Sequence, residues 1–127
     1  MKQLIFTLLT SLTLFSCQVD EEIIPLVGIY RAHVLGVAGP FDLIISTHQN
    51  DNVLIEAPFD GINWAIIEAD IDDKDLTVKD IDILSQQIYT TATIKGDGFF
   101  SGNTLELEYC IKEGNDCLTY KIVATKQ

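Results

Sequence analysis

Gly96-Asp97-Gly98-Phe99-Phe100-Ser101-Gly102-Asn103-Thr104-Leu105-Glu106-Leu107-Glu108-Tyr109 is the stretch whose reading decides the fold. Gly102-Asn103 forms a two-residue turn, a strong signal for an antiparallel hairpin. Folding the stretch there sets Phe100 against Leu105, Gly98 against Leu107 and Gly96 against Tyr109. Bulky side chains then face glycines on one side, the way a small barrel makes room in its interior. Phe99 falls on the other face, opposite Glu106, and Asp97 meets Glu108, a like-charge pair that weakens the match.

The same period-two alternation extends through the chain after Ile23, with no helical stripe and no long repeat. Strands are expected near 27–37, 41–48, 53–59, 62–70, 76–84, 88–98, 99–111 (best from Thr104) and 117–125. The breaks are Gly39-Pro40, Asn50-Asp51-Asn52, Asp60-Gly61, Asp72-Asp73-Lys74-Asp75, Ser85-Gln86, Ser101-Gly102-Asn103 and Glu113-Gly114-Asn115-Asp116. Setting Thr47 against Val53 places Ile45 on Ile55, Leu43 on Ala57 and Phe41 on Phe59, so one face is apolar throughout. In the last hairpin, pairing Cys110 with Cys117 puts Glu108 on Thr119 and Glu106 on Lys121. The other face then matches Tyr109 with Leu118, Leu107 with Tyr120 and Leu105 with Ile122.

That register requires a four-residue loop closed by Ile111 and Asp116, with Cys110 and Cys117 joined as a hairpin disulfide. Two cysteines without further ligands nearby make a poor zinc site, and the spacing is not Cys-x-x-Cys.

The start of the chain reads differently. Lys2 precedes an apolar run over residues 4–15, too short for a spanning helix, which needs about 20 residues. It reads as a signal-peptide core. Leu14-Phe15-Ser16-Cys17 resembles a bacterial lipobox, which implies removal of residues 1–16 and lipid attachment at Cys17. Gln18, Asp20, Glu21 and Glu22 follow at once. They resemble the acidic export signal of surface lipoproteins of the Bacteroidota, or serve as a solvated tether. The expected organisation is therefore a signal peptide over 1–16, an acidic tether over 17–25 and a β-barrel domain over 26–127. The address is the outer membrane, facing the cell exterior or the periplasm.

The leader, Val27-Gly28-Ile29-Tyr30, and the segment 96–105 with its following Leu-x-x-x-Tyr strand together resemble the small lipocalin-like (calycin-like) lipoproteins of Bacteroidota. The resemblance implies an all-β domain: an eight-stranded antiparallel up-and-down meander closed into a barrel. Gly28-Ile29-Tyr30 is similar to the Gly-x-Trp of true lipocalins, with Tyr in place of Trp. Lys121 is the nearest late-strand cation to the arginine that packs there in true lipocalins, and the register above turns it outward.

A formal net charge of −11 in 127 residues excludes a phosphate backbone as partner, so no nucleic acid is expected. His33 and His48 lack the context of a catalytic triad, and no phosphate loop, HExxH motif or readable carboxylate dyad occurs. Neither catalytic residues nor a cofactor or metal is expected. The acidic turn over 70–75 leaves calcium open, though it lacks the glycine and terminal glutamate of an EF-hand. The chain is thus expected to be a non-enzymatic binding module, held to the membrane through its lipid and engaging a protein or glycan. The alternative is a carrier of a small hydrophobic ligand, with Tyr30 and Trp64 lining its pocket.

Overall fold

A computed structural model describes residues 24–49, 52–72 and 78–127. After a 3-10 turn at Ile24–Leu26 come β1 (Gly28–Val34), β2 (Ala38–Gln49), β3 (Asn52–Pro58) and β4 (Trp64–Asp72). They are followed by β5 (Val78–Ile88), β6 (Ala92–Ser101), β7 (Thr104–Glu113) and β8 (Asp116–Lys126). Each strand pairs antiparallel with the next, and β8 returns to β1 with Tyr30 opposite Lys126, so the sheet closes. Closure removes the exposed edges that would otherwise recruit other strands. The expected meander barrel is the observed fold.

The barrel has two unlike ends. The 3-10 turn lies at the base, with the 102–103 turn and the last residues of β8. Leu26 is fully buried there and its carbonyl accepts a hydrogen bond from the Tyr30 hydroxyl at 2.6 Å. Lys126 Nζ donates to the carbonyl of Pro25 at 2.6 Å. The links β1–β2, β3–β4, β5–β6 and β7–β8 all gather at the opposite, distal end.

Alternate side chains point inward and fill the axis. Tyr30, Leu43, Ile55, Phe59, Ile67, Ile94, Leu105 and Tyr109 are among the buried side chains, and no polar side chain is buried with them among the described residues. Edge-to-face pairs lock the aromatics: Tyr30 on Phe100 at 6.1 Å and Phe59 on Tyr109 at 5.5 Å. Gly96 and Gly98 face inward, and a methyl group on either would collide with the β7 backbone. The register read for the β6–β7 hairpin is the one observed: Phe100, Gly98 and Gly96 lie opposite Leu105, Leu107 and Tyr109. Thr47–Val53 and Ile45–Ile55 in β2–β3 match as well.

The last hairpin does not match. Glu113 pairs with Asp116, so Gly114-Asn115 alone makes the turn, with Gly114 at a positive φ of 65°. The expected four-residue loop is replaced by this tighter turn, and every pair shifts by two residues. Tyr109 meets Tyr120, Leu107 meets Ile122, Leu105 meets Ala124 and Glu108 meets Lys121. A two-residue shift preserves which face each side chain takes, so the apolar interior survives the error. Cys110 and Cys117 still form a disulfide, with a Cα–Cα distance of 5.5 Å. They do so diagonally, since Cys110 lies opposite Thr119 and Cys117 opposite Lys112. Lys121 likewise reaches diagonally to Glu106 at 3.1 Å.

Two expected breaks lie inside strands. Gly39-Pro40, a cis peptide, belongs to β2 beside the irregularity between Ala32 and Val34, where a residue lacking an N–H is tolerated. Ser85-Gln86 lies inside β5 at a bulge, where Leu84 and Ser85 fall between the paired residues Ile83 and Gln86. Here the Gln86 amide stands in for the missing ladder: it accepts from the Glu68 N–H and donates to the Glu68 carbonyl, both at 2.9 Å. The real turn comes later, at Tyr89-Thr90-Thr91, with Tyr89 at φ 55°.

Candidate binding rim

The distal rim is built around one ordered loop, residues 59–63. Asp60 accepts hydrogen bonds from the backbone N–H groups of Ile62 at 2.8 Å and Asn63 at 2.6 Å, and from the Asn63 side chain at 2.8 Å. Partial burial alone would raise the Asp60 carboxyl, but these donors outweigh it and hold the group below its ordinary value. Two tyrosines from other parts of the barrel fasten the loop. The Tyr89 hydroxyl donates to the Asn63 carbonyl at 2.7 Å, and the buried Tyr109 hydroxyl donates to the Phe59 carbonyl at 2.5 Å. Burial, helped by the Asp60 charge, pushes Tyr89 up to about 12; burial carries Tyr109 well above the usual tyrosine range.

Apolar side chains stand out in water on this loop and beside it. Ile62 at the loop tip is 79% exposed, and Leu35, Val37 and Trp64 are each half-exposed. The loop backs onto the β1–β2 turn, since a methyl group on Gly61 would strike Val37. Trp64 rests edge-to-face on Phe41 at 6.0 Å. Across the rim, a cleft of about 310 Å³ is lined by Asp60, Tyr89, Ile111, Glu113, Asp116, Leu118 and Tyr120. Tyr120 stacks on Tyr109 with ring centroids 5.8 Å apart.

Two larger depressions lie along the wall of β4–β8. One, of about 620 Å³, runs past Asp70, Asp72, Asp80, Asp82 and Asp97, and the other, of about 550 Å³, past Asp82, Lys95, Asp97 and Glu108. They follow from a row of directly opposed acids, Asp70–Asp82–Asp97–Glu108, crossing four strands. Asn52 donates to Asp70 at 2.7 Å at one end of that row. Among the described residues, no group of three or more histidines, cysteines or acids is arranged to hold a metal ion.

The residues singled out from the sequence are scattered by the fold. Tyr30 and Trp64, expected to share a ligand pocket, lie at opposite ends: Tyr30 is wholly buried toward the base and Trp64 stands on the distal rim. Tyr30's hydroxyl is already committed to Leu26. His48 pairs with Glu68 at 3.0 Å on the outer wall, and His33 is exposed on β1 beside Gly39. Phe99 is 38% exposed and opposite Glu106, as read. Lys126, rather than Lys121, is the late-strand cation set against Gly28. Cys17, Gln18, Asp20, Glu21, Glu22 and residues 73–75 of the acidic turn lie outside the described residues. Of the rim residues, the sequence marks Trp64 alone as a ligand-pocket residue. The loop beside it shows in sequence as Asp60-Gly61-Ile62-Asn63, a turn with an isoleucine at its tip.

Comparison with family models, with curated proteins and with solved structures finds no match to this chain.

Proposed function

We infer that the chain is a lipocalin-like lipoprotein, anchored at Cys17 to the outer membrane and displayed at the cell surface, whose distal rim binds a partner. The observation that carries this reading is the rim: Ile62 stands out on a loop fastened by Asp60, Tyr89 and Tyr109, with Trp64 beside it at the start of β4 and Leu35 and Val37 on the adjoining β1–β2 turn, all half-exposed or more. Apolar groups held rigidly in water cost little ordering entropy on contact, which favours a binding role over a spacer. The placement fits a tether, because the chain enters at the base through Ile24–Leu26 and the rim is at the other end. Lys126 against Gly28, with Tyr30 two residues on, supports the lipocalin-like assignment. The carrier alternative is disfavoured by the axis, which is filled by buried apolar side chains such as Tyr30, Leu43, Ile55, Ile67, Ile94, Leu105 and Tyr109.

Photo-crosslinking on intact cells tests the rim. A photoreactive residue at position 62 is expected to give a discrete adduct that disappears with Trp64→Ser, while the same group at position 102 on the base gives none. Equal adducts from both ends, or none from position 62, count against the reading. For the anchor, mass spectrometry of membrane-extracted protein is expected to show loss of residues 1–16 and added acyl mass on Cys17; an unlipidated Cys17 refutes it.

A further inference from the structure

The rim cleft has a chemical bias that its apolar neighbours lack. Its charged side chains are Asp60, Glu113 and Asp116, with no lysine or arginine among the lining residues. Glu113 and Asp116 sit directly opposite each other across the β7–β8 turn, an arrangement of like charges that costs free energy until a cation lies between them. The side walls are Tyr89 and Tyr120, and Tyr120 turns one face to Tyr109 while staying only half-buried. Ring faces and carboxylates attract the same kind of group.

The hydrogen-bonding balance narrows the choice further. The carboxylates only accept, and the Tyr89 hydroxyl already donates to Asn63. The Tyr120 hydroxyl is the remaining side-chain donor of the lining against three carboxylates, so the cleft suits a ligand with more donors than acceptors. A sugar brings hydroxyls of both kinds. A guanidinium brings five donors and no acceptor, and its flat face stacks on tyrosine. A volume of about 310 Å³ admits such a side chain with its aliphatic stem against Leu118 and Ile111.

We propose that the cleft receives an arginine side chain of a protein partner whose apolar surface covers Leu35, Val37, Ile62 and Trp64. This rests on the rim being the binding face, and it names the partner's chemistry as basic and apolar rather than saccharide.

The test is a titration of the full chain in detergent, isotopically labelled, followed by backbone amide shifts. The probes are N-acetyl-arginine amide, its neutral isostere N-acetyl-citrulline amide, and methyl glucoside. Arginine amide is expected to move Tyr89, Leu118 and Tyr120 saturably, with an affinity on the order of millimolar. Affinity is expected to fall about tenfold in Glu113→Gln/Asp116→Asn, a change that relieves repulsion at the turn and leaves the barrel spectrum intact. An equal response to citrulline amide, a response to the glucoside at these residues, or no localised response to arginine amide overturns the proposal. If that happens while Trp64→Ser still abolishes the position-62 adduct, the cleft assignment falls and the rim reading stands. If both fail, the rim is not the binding face.

Discussion

Tyr109 carries a single hydroxyl across the barrel to the Phe59 carbonyl, fifty positions away in sequence. Tyr109→Phe keeps the ring packing and leaves that buried carbonyl unpaired. The expected loss is about 1–2 kcal/mol, or roughly 4–16 °C in Tm, measured by thermal unfolding. An unchanged Tm would show that the carbonyl finds another donor. The buried hydroxyls also set a pH limit. Tyr30, Tyr89 and Tyr109 are all raised, whereas tyrosines of the unfolded chain ionise near 10. Above that value the unfolded state loses protons that the folded state keeps, so stability is full below about pH 10 and falls as pH rises toward the folded values. Alkaline unfolding should therefore coincide with ionisation of Tyr30, Tyr89 and Tyr109, followed by their ring NMR signals; ionisation of these three in a chain that stays folded would contradict it. Asp60 works in the opposite direction, its contribution being lost as pH falls through its lowered value.

At the scale of elements, the β6–β7 hairpin was readable because turn, glycines and bulky residues agree along its inward face, despite the like-charged Asp97–Glu108 pair on the other. Gly96→Ala should cost about 3 kcal/mol, because the added methyl meets β7 backbone. Gly102→Ala meets nothing within 4 Å and should cost only about 1 kcal/mol, for its positive φ. Denaturant midpoints of the two variants compare them, and equal losses would remove the close-approach argument. The β7–β8 register was misread because a two-residue slip keeps the faces, so alternation could not choose between a four-residue loop and Gly114-Asn115. Gln86 was misread for a different reason: a side-chain amide replacing a peptide looks, in sequence, like a polar break. The rim was nearly invisible, since one isoleucine in a turn has no period and the fastening by Tyr89 and Tyr109 is long-range. The diagonal disulfide closes a short loop, so Cys110→Ser/Cys117→Ser should lower stability by about 2–3 kcal/mol and leave the barrel folded. Loss of the native spectrum in that variant would mean that the bond does more than close the turn.

The whole molecule carries net charge −11, and part of it is laid out as the facing row Asp70–Asp82–Asp97–Glu108. Repulsion along that row works against the packed interior, and dissolved salt screens it. Tm at neutral pH should thus rise as sodium chloride is added, over the range in which screening dominates. A falling Tm would place more weight on exposed pairs such as Arg31–Asp42 and Glu106–Lys121 than on the repulsion.

Because the barrel has an even number of strands, the Ile24–Leu26 turn that leads into β1 and the last residues of β8 share the base, opposite the distal rim. That arrangement has a mechanical consequence. A pull between Ile24 and Ile62 runs from one end of the barrel to the other. β1 is held along both sides, by β2 and by β8, so its ladders are loaded in shear and must give way together rather than one rung at a time. A barrel joined this way resists being pulled open from end to end.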